Sequence, residues 1–125
     1  MNSYSRWKAK EYRDLEHWRN WLAEQQCVSC GANRPEIAHV GSRGYSNRCS
    51  DLFALPICAE CHRLGQNSQH AVGKEFWVKA GLDRDETIRE HHERYLAEIK
   101  RRPDLIAKFH NSLSAASRSQ LIPVN

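Results

Sequence analysis

The sequence has no apolar run long enough to cross a bilayer. Its longest, Leu52 to Cys58, is about seven residues and is interrupted by Pro56, against the roughly 20 that a membrane helix needs. The opening stretch MNSYSRWKAKEYRDLEHW has no apolar core, so no secretory leader is visible and a cytoplasmic setting is expected. Internal repeats and low-complexity tracts are also missing, which excludes a solenoid or a biased linker. No region is strongly basic or acidic: 19 Lys and Arg face 15 Asp and Glu, and the net charge of +4 is spread along the chain. Such a balance permits nucleic-acid binding without demanding it. What is present suffices for a fold, since 40% of the 125 residues are hydrophobic and 9% aromatic, the scale of one small domain with helical flanks.

Cysteine is the residue used with most pattern. In a chain without an export signal, five cysteines point to metal ligands before disulfides. Four of them form C-x2-C-x27-C-x2-C, with Cys27 and Cys30 in CVSCG and Cys58 and Cys61 in CAECH. Two such turns supply the four sulfurs that satisfy tetrahedral Zn²⁺. Gly31 provides the positive φ that follows a knuckle. Arg34, Arg43, Arg48 and Arg63 are near enough in sequence to offset the negative thiolates. A closed four-sulfur site has no open position, so this zinc braces the fold and does not catalyse. Cys49 falls outside the pattern and reads as a small buried residue.

Residues 5–25 read as one amphipathic helix that packs Trp7, Leu15, Trp18 and Leu22 on the domain. EIAHVG then reads as a strand, SRGYSNRCS as a loop and LFALPIC as a second strand, with a helix beginning near Ala59. VGKEFWVKA, residues 72–80, is a helix ending at Gly81. Asp83 or Asp85 caps the next helix, with Ile88, His92, Tyr95, Leu96 and Ile99 on its apolar stripe. Pro103 breaks that helix and can open another carrying Leu105, Ile106, Phe109 and Leu113, before a loose tail SAASRSQLIPVN. The expected class is α+β, divided into an N-terminal helical arm (1–26), a zinc-braced core (27–80) and a C-terminal helical extension (81–125). His17, His91, His92 and His110 fall on helices and read as structural.

His39 in AHV and His62 directly after the second knuckle remain. A CxxC pair, a strand histidine, a glycine-bearing loop and an apolar strand running into CxxCH resemble the HNH endonucleases. Within them EIAHV and SDLFALPICAECH look most like the phage-encoded members, the Ref-like recombination-enhancement nucleases and the small prophage HNH proteins. The resemblance covers roughly residues 27–80. It implies a ββα-metal core in which two strands and a helix surround a divalent ion, Mg²⁺ or Mn²⁺, beside the structural zinc. By position it implies His39 as general base, His62 as ligand of the catalytic metal, and Asp51, with Asn47 as the other candidate, as the residue that braces the loop or helps to bind metal. It further implies DNA as partner and a bacterial or phage-infected cell as setting.

Many HNH enzymes carry an Asp or His just before the base, and Ala38 stands there, so further ligands must come from Asp51, His70, Glu36, water or phosphate. His70 lies eight residues past His62, about 12 Å on a straight helix, unless Gly65 turns the chain back. Phosphodiester hydrolysis needs a base near neutrality and a cation on the developing charge. Arg43, Arg48 and Arg63, with a second basic cluster at Lys100, Arg101 and Arg102, would meet phosphates, giving salt-sensitive binding with weak sequence preference. The helices at 72–101 offer a face for a homodimer, which paired cuts would need. A nucleobase deaminase is a poor fit, because it needs H-x-E and P-C-x-x-C whereas Val40 and Gly41 follow His39. The alternative from a different class is a non-catalytic zinc-knuckle module that binds DNA or protein.

Overall fold

The computed structural model describes residues 3–41 and 49–118. In order these are α1 (Ser3–Asp14), α2 (Glu16–Ala23), β1 (Glu36–His39), a 3-10 turn (Asp51–Phe53), β2 (Ala54–Ile57), a π-helical turn (Glu60–Leu64), α3 (Gln69–Val72), α4 (Glu75–Ala80), α5 (Arg84–Glu98) and α6 (Pro103–Arg118). The class is α+β, mostly helical, with a two-stranded antiparallel sheet and a cluster of four cysteines.

The sheet register decides where every candidate residue points. β1 and β2 pair Glu36 with Ile57, Ile37 with Pro56, Ala38 with Leu55 and His39 with Ala54. Side chains alternate along a strand, so Glu36, Ala38, Leu55 and Ile57 share one face, and Ile37, His39, Ala54 and Pro56 the other. The packing follows this division. Ala38, Val40, Leu55 and Ile57 bury against Cys27, Phe76 of α4 and Ile88 of α5. Ile37 and Ala54 join a second cluster built on Leu15, Trp18, Trp21 and Leu22 of the N-terminal segment with Tyr95, Ile99, Leu105 and Phe109 of α5 and α6. At about 25 cal/mol per Å² of apolar area, a buried Trp or Phe is worth roughly 2–3 kcal/mol, so this aromatic cluster carries much of the stability.

Several sequence expectations are revised here. The expected single helix at 5–25 bends at Leu15 (φ −105°, ψ 20°), although Leu15 N–H still bonds Glu11 O at 2.9 Å and Arg19 N–H bonds Leu15 O at 3.0 Å. Leu15 at the bend and α2 share one hydrophobic cluster with β2, α5 and α6. Trp18 and Trp21 are buried there, which leaves neither free to stack on DNA. The helix expected at 72–80 is two short ones that meet at Gly73, whose φ of 60° breaks the run. Gly81 does end α4 in the left-handed region, and of the two candidate caps it is Asp83 whose side chain accepts from Glu86 N–H at 2.8 Å. The segment from Ser114, expected to be loose, continues α6 to Arg118 with Ala116 fully buried. Residues 119–125 lie outside the described ones.

Candidate metal centre and the two histidines

The knuckles close as the spacing requires. Ligand atoms of Cys27, Cys30, Cys58 and Cys61 all lie within 4.8 Å of one another, and among the described residues no other group of three or more such side chains converges so closely. Cys30 Sγ and Cys58 Sγ are 3.7 Å apart, near the roughly 3.8 Å edge of a tetrahedron with Zn–S bonds of about 2.3 Å. Gly31 N–H bonds Cys27 O at 2.9 Å with φ +78°, and Val28 N–H bonds Pro56 O at 3.0 Å, tying the first knuckle to β2. Burial pushes the Cys27 thiol up, but the amides of Cys30, Cys58 and Ser29 aimed at its sulfur outweigh this and bring it down to about 7. Cys61 is pushed up to about 12 by burial and by the neighbouring Cys58 and Cys30 sulfurs. Four sulfurs this close together are the donor set that a tetrahedral divalent cation takes. The four cysteines can therefore hold a metal such as zinc.

The second knuckle runs into a π-helical turn. His62 N–H bonds Cys58 O at 2.8 Å, and Gly65 N–H reaches five residues back to Glu60 O at 2.9 Å. Glycine is required at 65, since a Cβ there would sit 2.8 Å from the Glu60 carbonyl oxygen. The chain then reverses, and Ser68 caps α3 by accepting from Ala71 N–H. This reversal brings His70 back, with its ring centroid 4.5 Å from that of His62. On the same face of the sheet, Glu36 Oε1 meets His62 Nδ1 at 2.8 Å. The Arg63 guanidinium, and then His62, hold the Glu36 carboxyl down to about 2. An ionised carboxylate only accepts, so His62 Nδ1 carries the proton of that bond, and Nε2 is the nitrogen that Glu36 does not engage. Burial, then the charges of His62 and Arg63, push His70 down, which favours its neutral, ligating form. His70 also lines a cavity of about 600 Å³ that reaches Val40, Gly41, Trp77, Lys74 and Arg84.

His39 lies on the opposite face. Its Nε2 meets Asp51 Oδ1 at 2.7 Å. Asp51 is 5% exposed, and all its polar atoms are engaged. Oδ1 also accepts from Lys8 at 3.0 Å, Oδ2 accepts from Arg19 at 3.2 Å, the carbonyl accepts from Trp18 Nε1 at 2.8 Å, and its N–H donates to Glu11 Oε1 at 2.9 Å. Burial alone would raise the Asp51 carboxyl, but His39 and Lys8 outweigh it and hold it well below the usual carboxylate range. Asp51 is thus a buried acceptor, and Nε2, the ring nitrogen facing it, carries the proton of that bond, so Nδ1 is the nitrogen of His39 that Asp51 does not engage. With Lys8, Ala9, Tyr12, Arg19, Ile37 and Asp51, His39 lines a cavity of about 520 Å³.

The resemblance implies that His39, as base, and His62, as ligand, act around one divalent ion. His39 and the Glu36-bound His62 lie on opposite faces of β1. Adjacent residues of a strand always point to opposite faces, so a ligand position directly before a base implies this two-sided layout. That position is Ala38, fully buried in the core. Asp51, read as either a brace or a metal ligand, has its oxygens taken by His39, Lys8 and Arg19. Arg63, read as a phosphate contact, instead grips Glu36 with three N–H···O contacts of 2.7–3.1 Å. Arg43, Asn47 and Arg48 lie outside the described residues. Cys49 is fully buried. His92 bonds Leu52 O at 2.6 Å inside the aromatic cluster and His91 bonds Thr87 O at 2.9 Å, both structural. Sequence reasoning missed Lys8, Glu11 and Arg19, since no spacing signal links them to residues some 30–40 positions away.

No match was found among curated proteins or among solved structures. Residues 3–82 match the family described as Protein of unknown function (DUF968), a match that takes in α1, α2, both strands, both cysteine pairs, His39, His62 and His70. As the match covers well over half of the sequence, this chain belongs to the DUF968 family.

Proposed function

We propose that this chain is a metal-dependent endonuclease of the HNH type, hydrolysing DNA phosphodiester bonds with His39 as general base and His62 as a ligand of a catalytic divalent ion. One observation carries the reading: each imidazole is pinned at one nitrogen by an ionised carboxylate, Asp51 for His39 and Glu36 for His62. In each case the opposite nitrogen is left for chemistry. Nδ1 of His39 accepts the proton of the attacking water, and Asp51 stabilises the imidazolium that forms. The bond to the 3′ oxygen of the scissile phosphate is the one that breaks. Nε2 of His62 would hold the metal, with Glu36 as the carboxylate that would orient the ligating histidine and His70 as the neighbouring donor. Bound there, Mg²⁺ or Mn²⁺ supplies charge stabilisation for the phosphoryl and leaving oxygens. Zinc, held in the closed four-sulfur site, keeps the His62 turn against β1.

The order strand, strand, helical turn, with His39 closing the first strand and His62 in the turn, matches the ββα-metal layout. The substrate phosphate lies, on this reading, across the free edge of β1, where the two faces meet. A second reading, a zinc-braced binding module without catalysis, is favoured by Ala38 at the ligand position and by the hold of Arg63 on Glu36. Plasmid nicking separates the two. With Mg²⁺ or Mn²⁺, wild-type protein should relax supercoiled DNA and His39→Ala should not, while both keep one zinc. Equal inertness across a range of divalent metals would remove the nuclease reading and leave the binding module. DNA affinity should fall steeply with salt, since phosphate contacts dominate.

A further inference from the structure

The ion cluster under His39 is built chiefly from the N-terminal helices, which the resemblance does not reach. Lys8 Nζ lies 3.0 Å from Asp51 Oδ1, 3.0 Å from Cys49 O and 3.2 Å from Glu11 Oε1. Glu11 is 2% exposed. Its Oε2 accepts from Ser50 Oγ at 2.6 Å and its Oε1 from Asp51 N–H at 2.9 Å. Arg19 spans from Asp51 Oδ2 at 3.2 Å to Tyr12 O at 2.7 Å, and its guanidinium lies 3.8 Å from the Tyr12 ring centroid. Two cations and two carboxylates thus cancel inside a nearly closed site. Burying such a set for stability alone gains little over apolar packing, because desolvation consumes most of the attraction. What a fully satisfied network does provide is a fixed geometry.

We propose that α1 and α2 form a clamp that positions the general base: Lys8 and Arg19 hold the two oxygens of Asp51, Glu11 anchors the Ser50–Asp51 backbone, and the fixed carboxylate sets which nitrogen of His39 is free. Lys8, Glu11 and Arg19 are positioning residues that touch neither substrate nor metal. This rests on the reading of His39 as the base. Released from either cation, the carboxylate can rotate, and the His39 ring loses its single tautomer.

The test uses the zinc-loaded full chain. Long-range ¹H–¹⁵N correlation, with the His39 signals assigned by their loss in His39→Gln, should show the Nε2–H tautomer in wild type. Lys8→Met and Arg19→Gln should mix the tautomers, and Lys8→Arg should restore the wild-type signal. In the nicking assay Lys8→Met should lower kcat about tenfold, part of the roughly 10²–10⁴ that a general base supplies, with KM essentially unchanged. A pure Nδ1–H tautomer in wild type overturns the proposal even if no variant folds. So does an unchanged tautomer in folded Lys8→Met and Arg19→Gln. The tautomer is read without DNA or added divalent metal. Wild-type protein that shows the clamped Nε2–H form yet cleaves no DNA therefore defeats the nuclease reading and leaves the clamp standing.

Discussion

The two faces of β1 are built on opposite plans. On one, the cysteine knuckles and the Glu36, His62 and His70 cluster are assembled from short turns and the start of β1, with side chains that range from buried Cys27 through half-buried Glu36 and His62 to exposed Cys30 and His70. On the other, His39 sits on a mostly buried ion network contributed by α1, α2 and the turn after residue 49. The first face carries four cysteines that can hold a cation, whereas the second is balanced by charges the chain supplies itself. A metal-braced surface can therefore be taken apart by a chelator, whereas the network on the far side can be taken apart only by mutation or acid.

Removing the zinc should produce the largest effect. Structural zinc in small domains contributes on the order of 10 kcal/mol of binding free energy. Chelation, or Cys58→Ser, should lower the melting temperature far more than any substitution on the other face, as read by circular dichroism alongside metal content. If chelation left the melt unchanged, the two faces would not differ in the way described.

Asp51→Ala comes next. It leaves Arg19 without its carboxylate and Lys8 with Glu11 as its one remaining carboxylate in a mostly buried site, so a loss of about 3 kcal/mol is expected in urea unfolding, with zinc retained. Acid probes the same group. Because the folded Asp51 carboxyl lies below its usual value, its contribution is full above about pH 3.9 and is lost as pH falls from there toward the folded value. Asp51→Asn should flatten that acid limb at matched zinc content, and an unchanged limb would remove Asp51 from the account.

Gly65→Ala is expected to cost about 1–3 kcal/mol through overpacking against the Glu60 carbonyl. More tellingly, it should weaken Mn²⁺ binding by loosening the reversal that brings His70 to His62, while the His39 tautomer stays as in wild type. The smallest effect belongs to a helix cap. Asp83→Ala removes the α5 cap and should cost about 1 kcal/mol with no change in metal binding.

How legible each face was in the sequence follows from the same difference. The cysteine frame is written in local spacing, two CxxC turns whose backbone geometry is the same wherever they occur. The class, the Gly81 stop and the Asp83 cap are equally local. His70 was half visible: eight residues on a straight helix would carry it away, and only the π-helical turn with Gly65 brings it back. The clamp was invisible, because Lys8, Glu11 and Arg19 look like the polar face of an amphipathic helix until the sheet fixes where Asp51 lies. The bend at Leu15 was hidden for a similar reason. Its helical period continues through the bend, and the aromatic cluster alone sets the angle.

The most direct test of the two-faced site is anomalous diffraction from zinc-loaded crystals soaked in Mn²⁺. The account predicts zinc between Cys27, Cys30, Cys58 and Cys61, and manganese bonded to Nε2 of His62 on the face of β1 opposite the Asp51 network. Manganese seated on Asp51, or absent from His62 altogether, would contradict it.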